Sequence, residues 1–488
     1  MANDEFVRDH YEMLIGGALV QSRSGKRRPS INPATGREIT DFPEADEHDV
    51  GLAVEAARGA FDRWRRTPLY ERAKLVRELA QRIREHARQL AYLDAVDSGN
   101  PITAMKFDVE MGCERLDFFA GLASEIKGDT LPLAPGRLHL TLREPYGVVG
   151  RIVPFNHPIM FAVTAIAAPI MAGNTVVLKP SEHTSLSALE LGRIARDVLP
   201  KGVVNVVTGG AQVGSAMVSH PAIKRIAFTG SVATAKRIMV TAAEAGIKHV
   251  TLELGGKNPM IVFPDADPDK VAAGLVKGMN FRWCQSQSCG STTRVFVHED
   301  LYEDLMPRLA KAMGQVKIGI PINEDTEMGA LTYKEHYQKV LNYIEIGQRE
   351  GAGVVAGGER PSGPEFANGF FLKPTLLGGV TQNMTVAREE IFGPVVSALK
   401  WRDVDQVIEQ ANEVMYGLTA SVWTNDLRLA GRMIESLDSG YVWINDASAH
   451  FLGMPFGGHK ASGLGTEETL EELLSYTQLK SVNMIFTG

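Results

Sequence analysis

The sequence predicts an α/β protein built on doubly wound parallel sheets, and two observations support this fold class. From Gly147 to Pro264, short apolar runs typical of buried strands alternate with helical patterns, which indicates a parallel sheet. A second run of strands and helices begins at Pro268. With 488 residues, the chain has room for two or more domains with substantial cores. We therefore expect two lobes, and the absence of an obvious linker in the sequence predicts a broad interface between them.

Two amphipathic helices are predicted ahead of the first of these runs. In residues 49–65, apolar side chains recur at helical spacing, at Val50, Ala53, Val54, Ala57, Phe61 and Trp64. A second helix after Pro68 carries the apolar stripe Val76, Leu79, Ile83, Ala87 and Leu90. Charged residues cover the other faces of both helices, so we expect them to serve as packing layers.

The strands of the first run end beside residues that suit phosphates and sugar hydroxyls. The strands are predicted over Thr175–Leu178, Val203–Thr208, Arg225–Thr229 and His249–Leu254, and a helix over Ser185–Val198. Open parallel sheets bind ligands beyond the carboxyl ends of their strands. Here those ends carry Lys179, Gly209-Gly210 and Gly230-Ser231. Because the dinucleotide fingerprint GxGxxG is absent, composition alone gives little support for a nicotinamide site.

Composition and charge narrow the class of protein. A net charge of -7 argues against a nucleic-acid partner. Three cysteines, Cys113, Cys284 and Cys289, without a CxxC spacing predict neither a disulfide framework nor a metal site, and Cys113 is expected to be a buried helical residue. The apolar run Pro158–Ala172 is shorter than the ~20 residues that span a bilayer and predicts a buried helix. Residues 1–10 lack the apolar core of a signal peptide. We expect a cytoplasmic protein with no membrane partner.

Two strands outside the main runs alternate strictly between apolar and polar residues. They are Arg137–Arg143 and Lys480–Phe486. Such isolated, edge-like strands are candidates for pairing across a subunit interface. The alternative is that the two strands pair with each other inside one chain.

Two further stretches carry the candidate chemistry. Residues 281–294 offer the thiol of Cys289 among small and polar residues. Residues 251–259 offer the carboxylate of Glu253 at the end of a strand, followed by a glycine pair. A thiol and a carboxylate on neighbouring loops suit covalent catalysis, in which sulfur attacks an electrophilic carbon and the carboxylate later activates water.

From residue 14 to the C-terminus, the sequence resembles the aldehyde dehydrogenase superfamily. Its motifs occur in the family's order: Ile31–Gly36, Pro145–Gly150 with Pro154–Asn156, Ala172–Glu182, Phe228–Ser231, Leu252–Lys257, Gln287–Cys289, Glu389–Pro394 and Pro455–Gly458. The resemblance implies two doubly wound lobes plus a small β oligomerisation arm. It divides the chain into a dinucleotide-binding domain (1–128 and 147–256), a catalytic domain (257–463) and the arm (129–146 and 464–488). A homodimer or homotetramer is expected.

The resemblance also implies the roles of individual residues. Cys289 is expected to be the nucleophile, Asn156 the oxyanion donor and Glu253 the base that hydrolyses the thioester. NAD is the expected cofactor, because a carboxylate at Glu182 would repel the 2′-phosphate of NADP, although NADP stays open since Lys179 is adjacent. The expected cofactor-binding residues are Ile152, Phe155, Lys179, Glu182, Gly210, Phe228, Ser231, Glu390 and Phe392.

The chain departs from the family pattern at four positions. Cys284 stands where Asn is usual, Ser286 and Ala235 stand where Gly is usual, and Ala165 replaces a lysine that many members carry. Glu467, in the position of that lysine's partner, is therefore expected to be idle.

The resemblance leaves the substrate and two other functions open. By position, Met160, Phe161, Trp283, His450, Phe451 and Phe456 are expected to line the substrate pocket, which favours an aromatic or other hydrophobic aldehyde. Half of these residues could instead pack the core, and Arg282 or His450 could recognise a polar group. One alternative function is a relative that transfers the acyl group to CoA, although the presence of Glu253 favours water. The other is a non-catalytic descendant, which would be expected to have lost Cys289, Asn156 or Glu253.

Overall fold

The computed structural model describes residues 6–486 and confirms the α/β class. The first half of the chain comprises β1 Met13–Ile15, β2 Ala18–Val20, β3 Arg27–Asn32, β4 Arg37–Pro43, α1 Glu47–Arg65, α2 Leu69–Glu85, α3 Ala87–Ser98, α4 Ile102–Gly121, β5 Thr130–Leu131, β6 Arg137–Pro145, β7 Val148–Ile152, α5 Pro158–Met171, β8 Thr175–Lys179, α6 Leu186–Val198, β9 Val204–Val206, α7 Ala211–Ser219, β10 Ile223–Thr229, α8 Val232–Ala245 and β11 His249–Glu253.

The second half follows the same strand–helix pattern and returns to the first lobe at its end. It comprises β12 Pro259–Val262, α9 Pro268–Gly278, α10 Phe281–Cys284, β13 Arg294–His298, α11 Glu299–Gly314, α12 Lys334–Arg349, β14 Gly353–Ala356, β15 Thr375–Gly378, α13 Thr385–Arg388, β16 Val395–Trp401, α14 Val404–Asn412, β17 Tyr416–Gly417, β18 Thr419–Trp423, α15 Leu427–Ser436, β19 Tyr441–Ile444, β20 His459–Lys460, β21 Gly463–Leu464, α16 Leu470–Ser475 and β22 Thr477–Ile485.

The first lobe is organised around an eight-stranded sheet in the order β2-β1-β9-β8-β7-β10-β11-β21. Its five central strands, β9 to β11 in that order, are parallel, and the flanking strands β1 and β21 are antiparallel to their neighbours. The chain winds outward from β7 in one direction and from β10 in the other. A doubly wound sheet of this kind has its ligand crevice where the direction reverses, between β7 and β10.

The second lobe contains a seven-stranded sheet in the order β14-β15-β16-β13-β12-β18-β19. All its strands are parallel except β14, which is antiparallel to β15. Strands β12 and β18 are buried along their whole length, as expected of a parallel sheet with both faces covered by helices. The predicted second lobe is thereby confirmed.

Most predicted elements of the first lobe are confirmed, with one correction among the helices. The stripe from Val76 to Leu90 predicted one helix, but the chain forms α2 and α3 with a break at His86. The His86 ring lies 2.8 Å from the carbonyl oxygen of Arg82. The break was invisible in the sequence because Ile83, Ala87 and Leu90 keep helical spacing across it.

The apolar run at residues 158–172 forms α5, which is buried between the other helices and the sheet, as predicted. Cys113 is fully buried in α4, and its thiol donates to the carbonyl of Ala80, also as predicted. Within residues 6–486, no helix has the combination of length and apolarity that a membrane crossing requires.

The two alternating strands pair with each other. Strand β22 runs antiparallel to β6 in continuous register from Thr477 opposite Pro145 to Ile485 opposite Arg137, and β5 lies on the other side of β6. The alternative of pairing inside one chain is therefore confirmed for these strands. The boundaries of the three predicted domains remain a prediction.

Helix α9 packs so closely on β18 that its Gly274 has no room for a side chain. A Cβ at Gly274 would lie 2.2 Å from Cζ2 of Trp423, whereas a Cβ at Gly51, in the interior of α1, would meet no atom within 4 Å. We expect Gly274→Ala to lower the free energy of unfolding by about 1–3 kcal/mol through overpacking. Gly51→Ala, the matched control, should raise it by about 0.5–1 kcal/mol. Calorimetric melting of both variants measures this, and equal melting temperatures would contradict the packing argument.

Candidate active site

A cavity of about 790 Å³ lies at the carboxyl ends of the first sheet. The last residues of β7, β8, β10 and β11, which are Ile152, Lys179, Thr229 and Glu253, all line it. It therefore occupies the crevice where the winding of the sheet reverses. Asn156 and Cys289 line the same cavity, so the three predicted catalytic side chains share one space.

The nucleophile loop between α10 and β13 is fixed through the backbone of Cys289. The side-chain amide of Asn258 donates to the carbonyl oxygens of Cys289, at 2.7 Å, and Ser291, at 2.9 Å, and its oxygen accepts from the backbone N–H of Thr419. Burial raises the pKa of the Cys289 thiol well above its ordinary value, and the nearby carboxylates of Glu390 and Glu253 raise it further. The resting thiol is therefore protonated and needs a base to become nucleophilic.

The carboxyl group of Glu253 projects from the end of β11 into a poorly solvated site. Burial raises its pKa well above the ordinary value, and the charges of Glu467, Glu472 and Glu468 add to the effect. Its Oε2 has no hydrogen-bond partner among the described residues. A carboxyl group with a raised pKa and a free oxygen is suited to accepting a proton near neutral pH.

The turn that carries Asn156 is anchored by its backbone and leaves its side chain available. The carbonyl oxygen of Asn156 accepts from the side-chain amide of Asn100 at 2.7 Å. The side-chain Oδ1 of Asn156 is buried and has no partner among the described residues. An amide held in this way at the wall of the cavity can donate to a developing oxyanion.

Most of the predicted cofactor residues line the same cavity as the three predicted catalytic side chains. Those lining it are Ile152, Phe155, Lys179, Glu182, Phe228, Ser231, Glu390 and Phe392. The Lys179 ammonium lies 3.6 Å from the Glu182 carboxylate. Although burial alone would raise the pKa of Glu182, Lys179 holds it below its ordinary value. Gly210 lies just outside the lining, at the N-cap of α7, where a Cβ would be 3.8 Å from Oε1 of Glu182.

Two features of this part of the cavity suit a dinucleotide. Ser231 caps the N-terminus of α8 by accepting from the backbone N–H of Thr234, and the N-terminal ends of α7 and α8 both open onto the cavity, where helix dipoles favour phosphate. Lys179 and Glu182, which also line the cavity, provide a donor and an acceptor for ribose hydroxyls. The donor set and the size of the cavity fit a nicotinamide dinucleotide.

Glu390 is held against the glycine pair that follows Glu253. Its Oε1 accepts from the backbone N–H of Gly256 at 2.9 Å, and a Cβ at Gly255 would lie 2.3 Å from its Oε2. The neighbouring Phe392 adopts a positive φ of 61°, and its carbonyl oxygen lies 2.6 Å from Nε2 of His336. The glycine pair thus allows Glu390 and the cavity wall to meet at close range.

The residues predicted for the substrate pocket fall into two groups. Phe161 lines the cavity, Trp283 and Phe161 both contact the ring of His157, and Met160 is buried on the same helix as Phe161. His450 and Phe456 pack on each other at 4.7 Å and on Tyr441, and Phe451 is 61% exposed. The assignment of these six residues to the substrate remains a prediction.

The four departures from the family pattern occupy buried positions. Cys284 and Ser286 are fully buried and Ala235 and Ala165 lie in helix interiors. Glu467, whose usual lysine partner is replaced by Ala165, accepts a hydrogen bond from the Arg151 guanidinium at 3.4 Å. Arg151 is thus its cationic partner in place of the lysine, and the expectation that Glu467 is idle in the reaction remains a prediction.

Sequence reasoning missed several residues at the site. Tyr333, His336, Lys339, Gln212 and Arg237 line the cavity. Tyr333 and His336 come from the second lobe and belong to no motif, so no sequence signal pointed to them. Asn258 lies within residues 251–259, the stretch that contains Glu253. Its position two residues after the glycine pair was the signal available in the sequence.

Comparisons with known proteins agree with this geometry. The sequence model of the aldehyde dehydrogenase family matches residues 19–482. Aldehyde dehydrogenase tropH of Talaromyces stipitatus is 43% identical over 99% of this chain and 95% of its own length.

Solved structures of aldehyde dehydrogenases are also similar to this chain. An NAD+ complex of an aldehyde dehydrogenase from Bacillus cereus superposes with a TM-score of 0.95 at 41% identity, covering 99% of this chain and 98% of the other. A betaine aldehyde dehydrogenase from Staphylococcus aureus, also in complex with NAD+, gives 0.96 at 32% identity, covering 100% and 97%. The predicted fold, the oxidoreductase class and the nicotinamide cofactor are confirmed at the level of the family. The chain belongs to the aldehyde dehydrogenase family.

Proposed function

We propose that the protein oxidises an aldehyde to the carboxylic acid with NAD, through a thioester on Cys289 that water hydrolyses. The observation that carries the proposal is the meeting of Cys289, Asn156 and Glu253 at one cavity, with a free carboxylate oxygen on Glu253. The carboxylate favours water as the acyl acceptor. Transfer to CoA and a non-catalytic role are the alternatives that the experiments below separate.

Each of the three catalytic residues has a separate role in the reaction. Cys289 passes its proton to a water molecule, and its sulfur adds to the aldehyde carbon to form a thiohemiacetal, which becomes the thioester when that carbon loses hydride. The side-chain amide of Asn156 and the backbone N–H of Cys289 stabilise the negative oxygen, and one such donor contributes about 3–4 kcal/mol in comparable sites. Bound NAD supplies the hydride acceptor. Glu253 then takes a proton from water, which attacks the Cys289 thioester and releases the acid and the thiol.

NAD is favoured over NADP by the carboxylate of Glu182. It lies beside Lys179 and is held ionised, so it accepts hydrogen bonds from ribose hydroxyls and repels a 2′-phosphate. An aromatic or other hydrophobic aldehyde is favoured by Phe161, which lines the cavity, and by Trp283. The rings of both contact His157, the residue that follows Asn156 in the chain.

Glu253→Gln should separate the two halves of the reaction. We expect one burst of reduced nicotinamide per active site, followed by a steady rate lowered by about 100-fold, because the thioester forms but is not hydrolysed. In the unchanged protein, the steady rate should rise with pH through the raised pKa of Glu253, since the ionised carboxylate is the active form. In the variant this rise should disappear. Cys289→Ser, the matched control, should lose the burst as well.

The same assay distinguishes the alternatives. Reduced-nicotinamide formation is measured with aromatic, aliphatic and amino aldehydes, each with and without CoA. Full steady turnover of Glu253→Gln would contradict the proposed hydrolysis. Turnover of the unchanged protein only when CoA is present would replace water by CoA as the acceptor, and no activity with Cys289 intact across the panel would favour a non-catalytic protein.

Glu182→Gln tests the cofactor preference. Removing the charge while keeping the shape should raise the ratio of kcat/KM for NADP to that for NAD by about tenfold, since one charge–phosphate repulsion of ~1.4 kcal/mol is relieved. Lys179→Met should weaken both cofactors, because it removes the donor to the ribose. An unchanged ratio in Glu182→Gln would show that the carboxylate does not select NAD.

The three-stranded sheet supports a homodimer or homotetramer. Its strands expose the apolar side chains of Leu131, Leu142, Leu479, Met484 and Ile485. In the register of these strands, Leu142 and Met484 lie on one face of the sheet and Leu131, Leu479 and Ile485 on the other, so both faces expose apolar side chains. Exposed apolar surface of this kind marks an interaction site. We expect sedimentation at micromolar concentration to give an oligomer, and Leu142→Asp with Leu479→Asp to shift it towards the monomer. A monomeric unchanged protein would contradict the assignment.

A further inference from the structure

Two polar connections join the turn that carries Asn156 to the segment that leads to Cys289. The turn, residues 154–157, belongs to the first lobe, and the segment, residues 284–286, belongs to the second. One connection runs through Asn100 and the other through His157. Both lie behind the cavity wall, and neither belongs to the proposed chemistry.

The Asn100 connection is made of direct hydrogen bonds. Its amide donates to the carbonyl oxygen of Asn156 at 2.7 Å, and its Oδ1 accepts from the side-chain amide of Gln285 at 3.0 Å. Gln285 also donates to the carbonyl oxygens of Gly99 and Ala330. Asn100 therefore ties the backbone of the turn to the segment.

The His157 connection is a buried chain of three polar side chains. His157 Nδ1 lies 2.8 Å from Oδ2 of Asp108, and Cys284 lies near enough to the ring to raise the pKa of His157. The other oxygen of Asp108 accepts from the indole N–H of Trp283 at 2.6 Å. His157, Asp108 and Cys284 are all buried, so these contacts are protected from competing water.

The charge state of His157 follows from its neighbours. The titratable groups against its ring are Asp108, from α4, and Cys284, from α10, while Phe161 and Trp283 contribute only apolar rings. Burial alone would lower the pKa of His157, but the charge and hydrogen bond of Asp108 and the contact with Cys284 raise it to about 10. Both ring nitrogens then carry protons, so the nitrogen that does not face Asp108 is a donor available to the sulfur of Cys284.

The segment that receives these bonds needs outside support. Gln285 and Ser286 adopt left-handed backbone conformations with φ of 52° and 59°, which are unfavourable for residues other than glycine. Such conformations persist only when surrounding contacts hold them. Cys289 lies three residues beyond Ser286, so the position of its thiol depends on how this segment is held.

We propose that His157, held by Asp108, donates to Cys284 and is thereby a positioning residue that sets the geometry between the oxyanion amide of Asn156 and the thiol of Cys289. The inference rests on the proposed function of those two side chains. His157 does not touch the reacting atoms in this role. Its loss slows thiohemiacetal formation and hydride release while cofactor binding is retained.

Matched substitutions at Cys284 test the hydrogen bond. Cys284→Ser keeps an acceptor for His157, whereas Cys284→Ala removes it with little change in volume. We expect Cys284→Ala to lower kcat for the first turnover by about tenfold, the effect of one charge-assisted hydrogen bond, with KM for NAD changed less than about twofold. Cys284→Ser should stay within about threefold of the unchanged protein. Equal, unimpaired rates in both variants would overturn the proposal.

Asp108→Asn tests the charge, since an amide still accepts from Trp283 but no longer holds His157 as a cation. The pKa of buried His157 should then fall to its ordinary value of ~6.5 or lower. The first-turnover rate of Asp108→Asn, divided by that of the unchanged protein, should therefore be near one at low pH and fall as pH rises through the new pKa. A ratio that does not vary with pH would overturn the proposal.

Thermal melting and the Glu253→Gln burst separate this inference from its alternatives. A Cys284→Ala variant that loses thermal stability and NAD affinity together would indicate a purely structural role and overturn the proposal. If Glu253→Gln shows the expected burst while Cys284→Ala is unimpaired, the positioning role fails and the proposed function stands. If Glu253→Gln retains full turnover, the proposed function fails first.

Discussion

The close approach of the backbone at Gly255-Gly256 is the constraint on which the site depends. A Cβ at Gly256 would lie 2.3 Å from the carbonyl oxygen of Cys289, and one at Gly255 would lie 2.3 Å from a carboxylate oxygen of Glu390. The two glycines therefore let the nucleophile loop and the cofactor-side carboxylate rest against the strand end that presents Glu253. Any side chain at either position would separate groups that must act on one substrate, so the glycine pair determines the geometry of both halves of the site.

A second constraint is electrostatic. Glu253 and Glu472 are buried near Glu467, and burial raises the pKa of Glu472 to about 8, with the charge of Glu467 adding to the effect and Arg151 opposing it. Arg151 donates to the hydroxyl of Tyr476 at 2.7 Å and to Glu467, so one buried cation serves several acidic neighbours. A neighbouring negative charge disfavours the ionised form of a buried carboxyl group. Burial and the neighbouring carboxylates therefore raise the pKa of Glu253 well above its ordinary value and favour its protonated form.

The sequence was sufficient to predict those elements and site residues whose signal lies in a short stretch of the chain. Periodicity placed β8 and α6 within one residue of their observed bounds, and the stretches around Glu253 and Cys289 were recognisable because backbone constraint and chemistry coincide there. It was insufficient where residues meet only through the tertiary fold. Tyr333 and His336 reach the cavity from a second lobe, and the break at His86 leaves the apolar stripe intact. Likewise, no pattern links Asp108 to His157, because 49 residues separate them.

The proposed aldehyde pocket and the proposed positioning of the catalytic residues both depend on the carboxylate of Asp108. The two carboxylate oxygens of Asp108 contact different side chains: Oδ1 accepts from the indole N–H of Trp283, and Oδ2 contacts the imidazole of His157. A change of Trp283 that removes its N–H leaves one buried oxygen of Asp108 unpaired, which is unfavourable, so Asp108 would turn or attract a water molecule. Either response alters its hold on His157, which follows Asn156 directly in the chain. If Trp283 lines the aldehyde pocket as proposed, replacing it to admit a different aldehyde requires a compensating change at Asp108 or His157, and a single substitution at Trp283 is expected to affect kcat as well as KM.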